Sequence, residues 1–386
     1  MSRPIAAVAL LALASAHFGD VGARASQSLR LAVHGGSPPS PDVLAGRSSL
    51  GDAPFPRAEL EKFAAQIARR DGLRRRAVLE VLVQARAQPE IIDKISRPAE
   101  QVLEWWQYRQ IFLTDRRINE GVEFWRAHRD SLERASVEEG VPPQYIVAIL
   151  GAETYYGRIT GSYRVLDALS TLAFDYPPRS RFFSRELEEF LVLAHQEKLD
   201  PLTVKGSYAG AMGPLQFMPS AYLRYAVDGN DDGTRDLFSD WDDIFASIGQ
   251  YLHDCGWQPG GPVVADVRID PGATFHIDPD NLALDETIDG LNEQGVRVKS
   301  TAPGDTHVVL LLAQQQDGPT YRVGFNNFHA LTRYNHSALY AMAVDELAQA
   351  IALRLTPGPE MTPAPTTAKS VGSGSHLAVH SVSRGT

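Results

Sequence analysis

Between Pro142 and Gly157 the apolar positions recur at the spacing of a single helical stripe, and an acid completes it. Ile146, Ile149, Leu150 and Glu153 stand at i, i+3, i+4 and i+7. Pro142-Pro143 suits the first turn of a helix, where a missing N–H is tolerated. Gly157 suits its stop, because glycine accepts the left-handed cap conformation. Glu153 therefore points where leucine is expected. A carboxyl among aliphatic side chains is costly to ionise, so its pKa should rise and it can hold a proton near neutral pH. A general acid needs that property. The competing reading is a structural glutamate paired with an arginine such as Arg158.

The same patterning organises the rest of the chain. From Pro56 onward Phe63, Ile67, Leu73, Val78, Val81 and Leu82 recur at helical spacing, and further helical stretches are expected near 97–112 and 122–139. Residues 56–140 thus read as a helical domain, with Trp105, Trp106 and Trp125 filling its core. Residues 141–257 read as a second, mostly helical core broken by Gly- and Pro-rich turns. It includes a helix begun near Ser184, a good N-cap type, and another over 244–252. The pattern then changes. Residues 263–269, 296–298, 308–312 and 321–323 read as strands separated by Gly, Pro and Asp. They predict a small antiparallel β subdomain over 258–325. Residues 326–356 return to the core, with a final helix over 339–355. Residues 26–55 and 357–386 lack any sustained apolar period and read as a disordered tether and tail. The fold class expected is mainly α (α+β).

Composition narrows the picture only slightly. A chain of 386 residues is longer than one core usually serves, so two or three subdomains are expected. A net charge of −10 argues against a nucleic-acid or anionic-lipid partner. Residues 1–25 resemble a secretory signal peptide: Arg3, an apolar run over 5–14, then Ala14-Ser15-Ala16 as an A-x-A site. Cleavage is expected after Ala16, with a later site at 23–25 as the alternative and an uncleaved anchor as the competing reading. The apolar run is short for a membrane span. No cysteine stands near it to carry a lipoprotein anchor. Cys255 is the only cysteine, so no internal disulfide can form. It reads as a small buried hydrophobe. A nucleophile reading of His253-Asp254-Cys255 is weak, because helical side chains two apart do not face each other.

Three further stretches could carry chemistry. In residues 206–219, GSYAGAMGPLQFMP, glycines and prolines force turns and let backbone approach a ligand closely. Ser207 and Gln216 are the polar groups there, and a hydroxyl and an amide beside an acid suit an oligosaccharide. The bland reading is a tight loop with Gln216 bonding backbone. Asp228-Gly229-Asn230-Asp231-Asp232-Gly233 matches the start of a calcium loop, with side chains at Asp228, Asn230 and Asp232 and the carbonyl of Thr234 as ligands. The standard closing glutamate is replaced by Ser239, so Asp242 or Asp243 would have to close the site. A plain acidic turn is the alternative. Finally Tyr108, Tyr155, Tyr156, Tyr251, Tyr334 and Tyr340 are candidates for stacking on sugar. No HExxH, GxSxG or P-loop pattern is present, which disfavours zinc, serine-triad and nucleotide chemistry.

Taken together these blocks resemble the membrane-bound lytic murein transglycosylase B family. The resemblance is carried by residues 151–158, GAETYYGR, residues 165–174, VLDALSTLAF, the 206–219 segment, the acidic loop, and residues 333–337, RYNHS, with 340–344, YAMAV. It spans roughly 56–355 in order. It implies a helical domain, a lysozyme-like core and a small β domain. It implies that Glu153 is the catalytic acid and that Tyr108, Ser207, Gln216, Tyr251, Tyr334, Asn335 and Tyr340 line a glycan cleft. It also implies a structural Ca2+ held by the acidic loop, closed by Asp243 in preference to Asp242, although the loop here is one residue longer before its helix. Pro178 stands where close relatives have the first of two arginines, so only Arg179 is carried over as a contact to the stem peptide. No lipobox is present, so a periplasmic, unanchored enzyme is expected.

The activity implied is cleavage of the β-1,4 bond between N-acetylmuramic acid and N-acetylglucosamine in peptidoglycan, with a 1,6-anhydro ring formed on the muramic end. Glycan strands are the expected partner, with other cell-wall enzymes as further associates, no nucleic acid, and a monomer. Two alternatives stand beside it. A lysozyme-type hydrolase would want a second acid near Glu153, for which Asp175 and Asp167 are the candidates. A wall-binding protein without catalysis would need none.

Overall fold

The central helix is buried on every side. The computed structural model describes residues 55–96 and 103–355. The expected signal peptide, nearly all of the expected tether, the 97–102 part of an expected helix and the expected tail lie outside them. Six helices come first: α1 (Arg57–Asp71), α2 (Arg75–Leu82), α3 (Pro89–Ile95), α4 (Trp105–Phe112), α5 (Asp115–Ala127) and α6 (Arg129–Glu139). Then follow α7 (Pro143–Thr154), β1 (Tyr163–Arg164), α8 (Val165–Asp175), a 3-10 turn at Pro177–Arg179, α9 (Ser180–Gln196), β2 (Lys205–Gly206), α10 (Pro219–Tyr225) and α11 (Trp241–Asp254). The five-stranded region holds β3 (Val264–Ile269), β4 (Glu286–Thr287), α12 (Ile288–Glu293), β5 (Val296–Val298), β6 (His307–Gln315) and β7 (Gly318–Gly324). Helices α13 (Asn326–Tyr334) and α14 (Ala338–Leu355) close the described chain.

Every residue of α7 from Tyr145 to Thr154 is buried, where the sequence predicted one apolar stripe. A helix apolar all round belongs in the middle of a core. Helix α14 packs along α7, α5 and α4, while α11 packs on α6 and α8 on α9. The first helices join this core through aromatic and polar contacts. Phe63 meets Phe174 edge-on at 5.7 Å. Asp167 accepts the Arg86 N–H at 2.9 Å, and Thr171 accepts that of Gln88 at 3.0 Å. Phe55, assigned to the tether on sequence, is buried against Phe174 at 5.2 Å.

Several boundaries differ from expectation, each for a local reason. Residues 122–139 form two helices, because His128 leaves helical geometry between α5 and α6. Ser184 is interior to α9, which starts at Ser180 straight from the 3-10 turn. A cap-type residue is a weak signal beside the burial of Phe183 and Leu187 on the same helix. Helix α12 was not expected; Thr287 starts it by accepting the Gly290 N–H at 3.1 Å.

The sheet is antiparallel throughout, in the order β4-β6-β7-β3-β5. Its register sets Leu310 opposite Val323 and Ala265 opposite Val323 on the other side. Ile288, Leu291, Val296, Val308, Leu310, Val323 and Phe325 form a small core of their own. Val309, Leu311 and Ala313, the alternate residues of β6, face the main core instead. The sheet is therefore fastened to the helices by the other face of one strand.

Candidate active site

Glu153 occupies the last turn of α7 and is only 7% exposed. Tyr340, near the start of α14, donates its hydroxyl to Glu153 Oε1 at 2.7 Å. Burial first, and the nearby Glu153 charge second, push the Tyr340 and Tyr334 hydroxyls well above the ordinary phenol range. Both therefore remain protonated donors. Arg158, the structural partner considered for Glu153, pairs instead with Glu120.

The helix stops earlier than Gly157. Tyr155 and Tyr156 take left-handed conformations, with φ of 54° and 62°. Such backbone is unusual for a bulky residue and is held only where the surroundings insist on it. Here Tyr156 donates to the Arg117 carbonyl at 2.7 Å and stacks on Phe124. The Arg117 guanidinium lies 4.8 Å from the Tyr155 ring centre, with those of Arg116 and Arg158 within 6 Å. Thr154 then donates to the Pro214 carbonyl at 2.7 Å, which seats the 206–219 segment on the end of α7. That segment folds back tightly: a Cβ on Gly213 would lie 2.2 Å from the Leu237 carbonyl oxygen.

The sequence-selected residues divide into groups. Tyr334 donates to the Leu215 carbonyl, and Tyr251 to that of Arg333. Their rings are 5.0 Å apart, and Gln216, Tyr251 and Tyr334 line one small cavity with Arg333 and Cys255. Gln216 has φ of 54° and donates to the carbonyls of Thr160 and Gly213. Ser207 is wholly buried, and its Oγ accepts the N–H groups of Ala209 and Ala211. It holds its own loop and presents no surface. Tyr108 is also wholly buried, 5.2 Å from Phe112, so it too presents no face to a ligand. Cys255 is half-buried, and burial pushes its thiol up, away from nucleophile chemistry.

Arg179 and Asn335 line a different space, a cleft of about 850 Å³ between α3 and α4, the β6 strand and residues 277–282. Asn335 is 4% exposed, and its Nδ2 meets no acceptor among the described residues. Arg179 lies 4.4 Å from the Phe182 ring centre, and burial lowers its pKa. Glu153 does not line this cleft. It is reached one residue past the cleft wall, since Leu339 lines it and the next residue, Tyr340, meets the acid.

In the acidic loop Asp228 accepts the N–H groups of Asp232 and Gly233, and Asp232 accepts that of Thr234. Asp231 and Gly233 turn the chain with φ of 59° and 88°. Asp243 is wholly buried and clamps both ends of the loop, taking the Gly229 N–H at 2.8 Å and the Asp236 N–H at 2.7 Å. Asp242 points elsewhere, to Arg134. The donor set of Asp228, Asn230, Asp232, the Thr234 carbonyl and Asp243 is all oxygen, as calcium prefers. Among the described residues no group of three or more His, Cys, Asp or Glu side chains is placed to hold a metal, so Asp228, Asp232 and Asp243 do not form a ready-made cage.

A buried acid under a phenol donor, ending the central helix of a helical core near a cleft of about 850 Å³, is an arrangement suited to glycan cleavage. The Transglycosylase SLT domain family matches residues 56–349. The chain is 38% identical to membrane-bound lytic murein transglycosylase B of Escherichia coli K12 over 305 residues, 76% of this chain and 82% of that one. Among solved structures, soluble lytic transglycosylase SltB1 of Pseudomonas aeruginosa superposes with a TM-score of 0.71 at 43% identity, covering 77% of this chain and 99% of that one. Escherichia coli Slt35 in complex with calcium gives 0.71 at 37% identity, covering 80% and 98%. SltB3 of Pseudomonas aeruginosa in complex with NAG-anhNAM-pentapeptide gives 0.66 at 27% identity, covering 77% and 79%. The chain belongs to this family of lytic transglycosylases, enzymes that cleave peptidoglycan.

Proposed function

We propose that the chain cuts the β-1,4 bond between N-acetylmuramic acid and N-acetylglucosamine with a single carboxyl, Glu153, acting first as acid and then as base. The observation that carries this reading is the 2.7 Å hydrogen bond from Tyr340 to Oε1 of a carboxyl that is 7% exposed. Enclosure makes the carboxyl costly to ionise. With Oε1 occupied by a donor, Oε2 carries the proton given to the glycosidic oxygen. An oxocarbenium-like centre then develops. Ionised Glu153, steadied by Tyr340, takes the proton of the muramic C6 hydroxyl. That hydroxyl closes the 1,6-anhydro ring with the rate advantage of an intramolecular step. Ser207, which the family resemblance implies as a cleft residue, is wholly buried and holds its own loop through the N–H groups of Ala209 and Ala211, so no substrate contact is assigned to it. Asp167, one candidate for a hydrolase's second acid, is bound to Arg164 at 2.6 Å. Mass spectrometry of digested sacculi tests the reading. Anhydromuramic ends are expected, and reducing muramic ends in their place overturn it.

The acidic loop is proposed to hold a structural Ca2+ through Asp228, Asn230, Asp232, Thr234 and Asp243. The bound ion would supply charge neutralisation of the loop and no step of the reaction. The calcium complex of Slt35 supports this. Adding calcium at about 100 times its Kd should raise stability by roughly 2.7 kcal/mol, and Asp243→Ala should erase the gain. A melting temperature indifferent to chelator and calcium would remove the metal. The enzyme is proposed to act in the periplasm, after export. No helix among the described residues is long and apolar enough to cross a membrane.

A further inference from the structure

Two adjacent tryptophans open α4, and among the described residues only one has its indole N–H satisfied. Trp106 donates to Glu104 at 2.7 Å. Trp105 is 1% exposed, and its Nε1 meets no acceptor among the described residues. A buried donor left unpaired is costly, roughly 1–3 kcal/mol. Its neighbourhood explains why it is kept. Trp105 lines the 850 Å³ cleft, and so does Asn335, whose Nδ2 is likewise buried without an acceptor. Two residues of one cleft wall thus carry buried neutral donors that meet no acceptor among the described residues, and a ligand that brings acceptors would satisfy them.

The indole is also held firmly. The guanidinium of Arg322 lies 5.5 Å from the Trp105 ring centre and that of Arg109 6.0 Å away. Both arginines bind the same carboxylate, Glu346, at 2.7 and 2.6 Å. The capping box formed by Glu104 and Gln107 fixes the helix start on which Trp105 sits. A rigid donor with its ring clamped loses little freedom when it binds.

We infer that Trp105 Nε1 is a substrate-positioning donor that, together with Asn335, binds an amide carbonyl oxygen of the peptidoglycan strand in this cleft. A carbonyl suits it because both donors are neutral. Every sugar of the strand carries such a group in its acetamide, and the peptide stem carries more. The inference rests on the lytic transglycosylase reading, and the controls separate the two.

The test uses Trp105→Phe in the full chain, with soluble glycan oligomers either bearing pentapeptide stems or stripped of them. Wild-type release of anhydro ends checks the reading itself. The variant should then raise KM about five- to tenfold and leave kcat near wild type, as expected for one lost hydrogen bond made equally in the ground and transition states. If the effect vanishes on stripped oligomers, the acceptor belongs to the stem; if it persists, to a sugar acetamide. A KM within twofold of wild type on both substrates overturns the inference. Because the ring is buried, a second measurement avoids substitution at this site. The chain has 5 tryptophans, and their indole N–H resonances can be followed in Glu153→Gln. Saturating stem-bearing oligomer should move the Trp105 signal downfield and slow its exchange with solvent. An unmoved Trp105 signal, with binding verified by calorimetry, also overturns it.

Discussion

Helices α7 and α14 are tied together twice by the same pair of chemical groups, and the two ties serve different ends. At one end Tyr340 of α14 donates to Glu153 of α7 at 2.7 Å. At the other, Tyr145 of α7 donates to Asp345 of α14 at 2.8 Å. Both carboxyls are at least nine-tenths buried. The surroundings separate them. Around Asp345 the hydrogen bonds close on themselves, since Gln349 donates to the Tyr145 oxygen at 3.1 Å. Tyr340, the partner of Glu153, directly follows Leu339, a residue of the cleft wall. On the proposed function, a tyrosine–carboxyl pair is a fastening in one setting and a proton store in the other.

The comparison breaks most easily at the carboxyls. Glu153→Gln should cut release of anhydro ends at least about a thousandfold, the upper part of the range for a lost general acid. Its melting temperature should stay near wild type. Asp345→Asn should do the reverse: activity of the folded fraction is kept, and stability falls by about 1–3 kcal/mol. A dead but fully stable Asp345→Asn would mean that the two ties are not distinct in kind.

The tyrosines sharpen the contrast at smaller cost. Tyr340→Phe removes the donor that steadies ionised Glu153 and should lower kcat about ten- to a hundredfold, the worth of a hydrogen bond to a charged group. Tyr145→Phe should leave kcat alone and lower stability by about 1 kcal/mol, seen in a denaturant midpoint. Equal effects on kcat from both changes would dissolve the distinction.

Parts of this arrangement were legible in the chain itself, and the reasons are local. Pro143 and the Ile146, Ile149, Leu150, Glu153 spacing identify α7 because a helix's periodicity is written within a dozen residues. The strands over 263–269 and 308–312 were visible for the same reason, although β6 runs on to Gln315. The end of α7 was not. Its left-handed Tyr155 and Tyr156 are imposed by Arg117 and Phe124, which lie over 30 residues earlier in the sequence. The burial of Tyr108 and Ser207 was equally hidden, because residue type says nothing of which face a neighbour covers. Trp105 was read as core filling, which its 1% exposure fits. That its N–H meets no acceptor among the described residues becomes visible only in three dimensions.

The dependence on pH isolates the structural tie. Burial raises the Asp345 carboxyl from its ordinary 3.8 to about 6 in the folded chain. Between those values the folded state keeps a proton that the unfolded state has lost. Stability from this group is therefore fully present below about pH 4 and drains away as pH rises through 6. The span is about two pH units, or at most roughly 3 kcal/mol. Asparagine cannot ionise, so Asp345→Asn should lie furthest below wild type near pH 4 and approach it by pH 7. Calorimetry of both proteins at pH 4, 5, 6 and 7 reads the difference directly, with every other titrating group cancelling. A gap that stays constant, or widens upward, would show that Asp345 enters the fold already ionised. Its bond to Tyr145 would then be an ion's contact and no longer the neutral counterpart of the Glu153 pair.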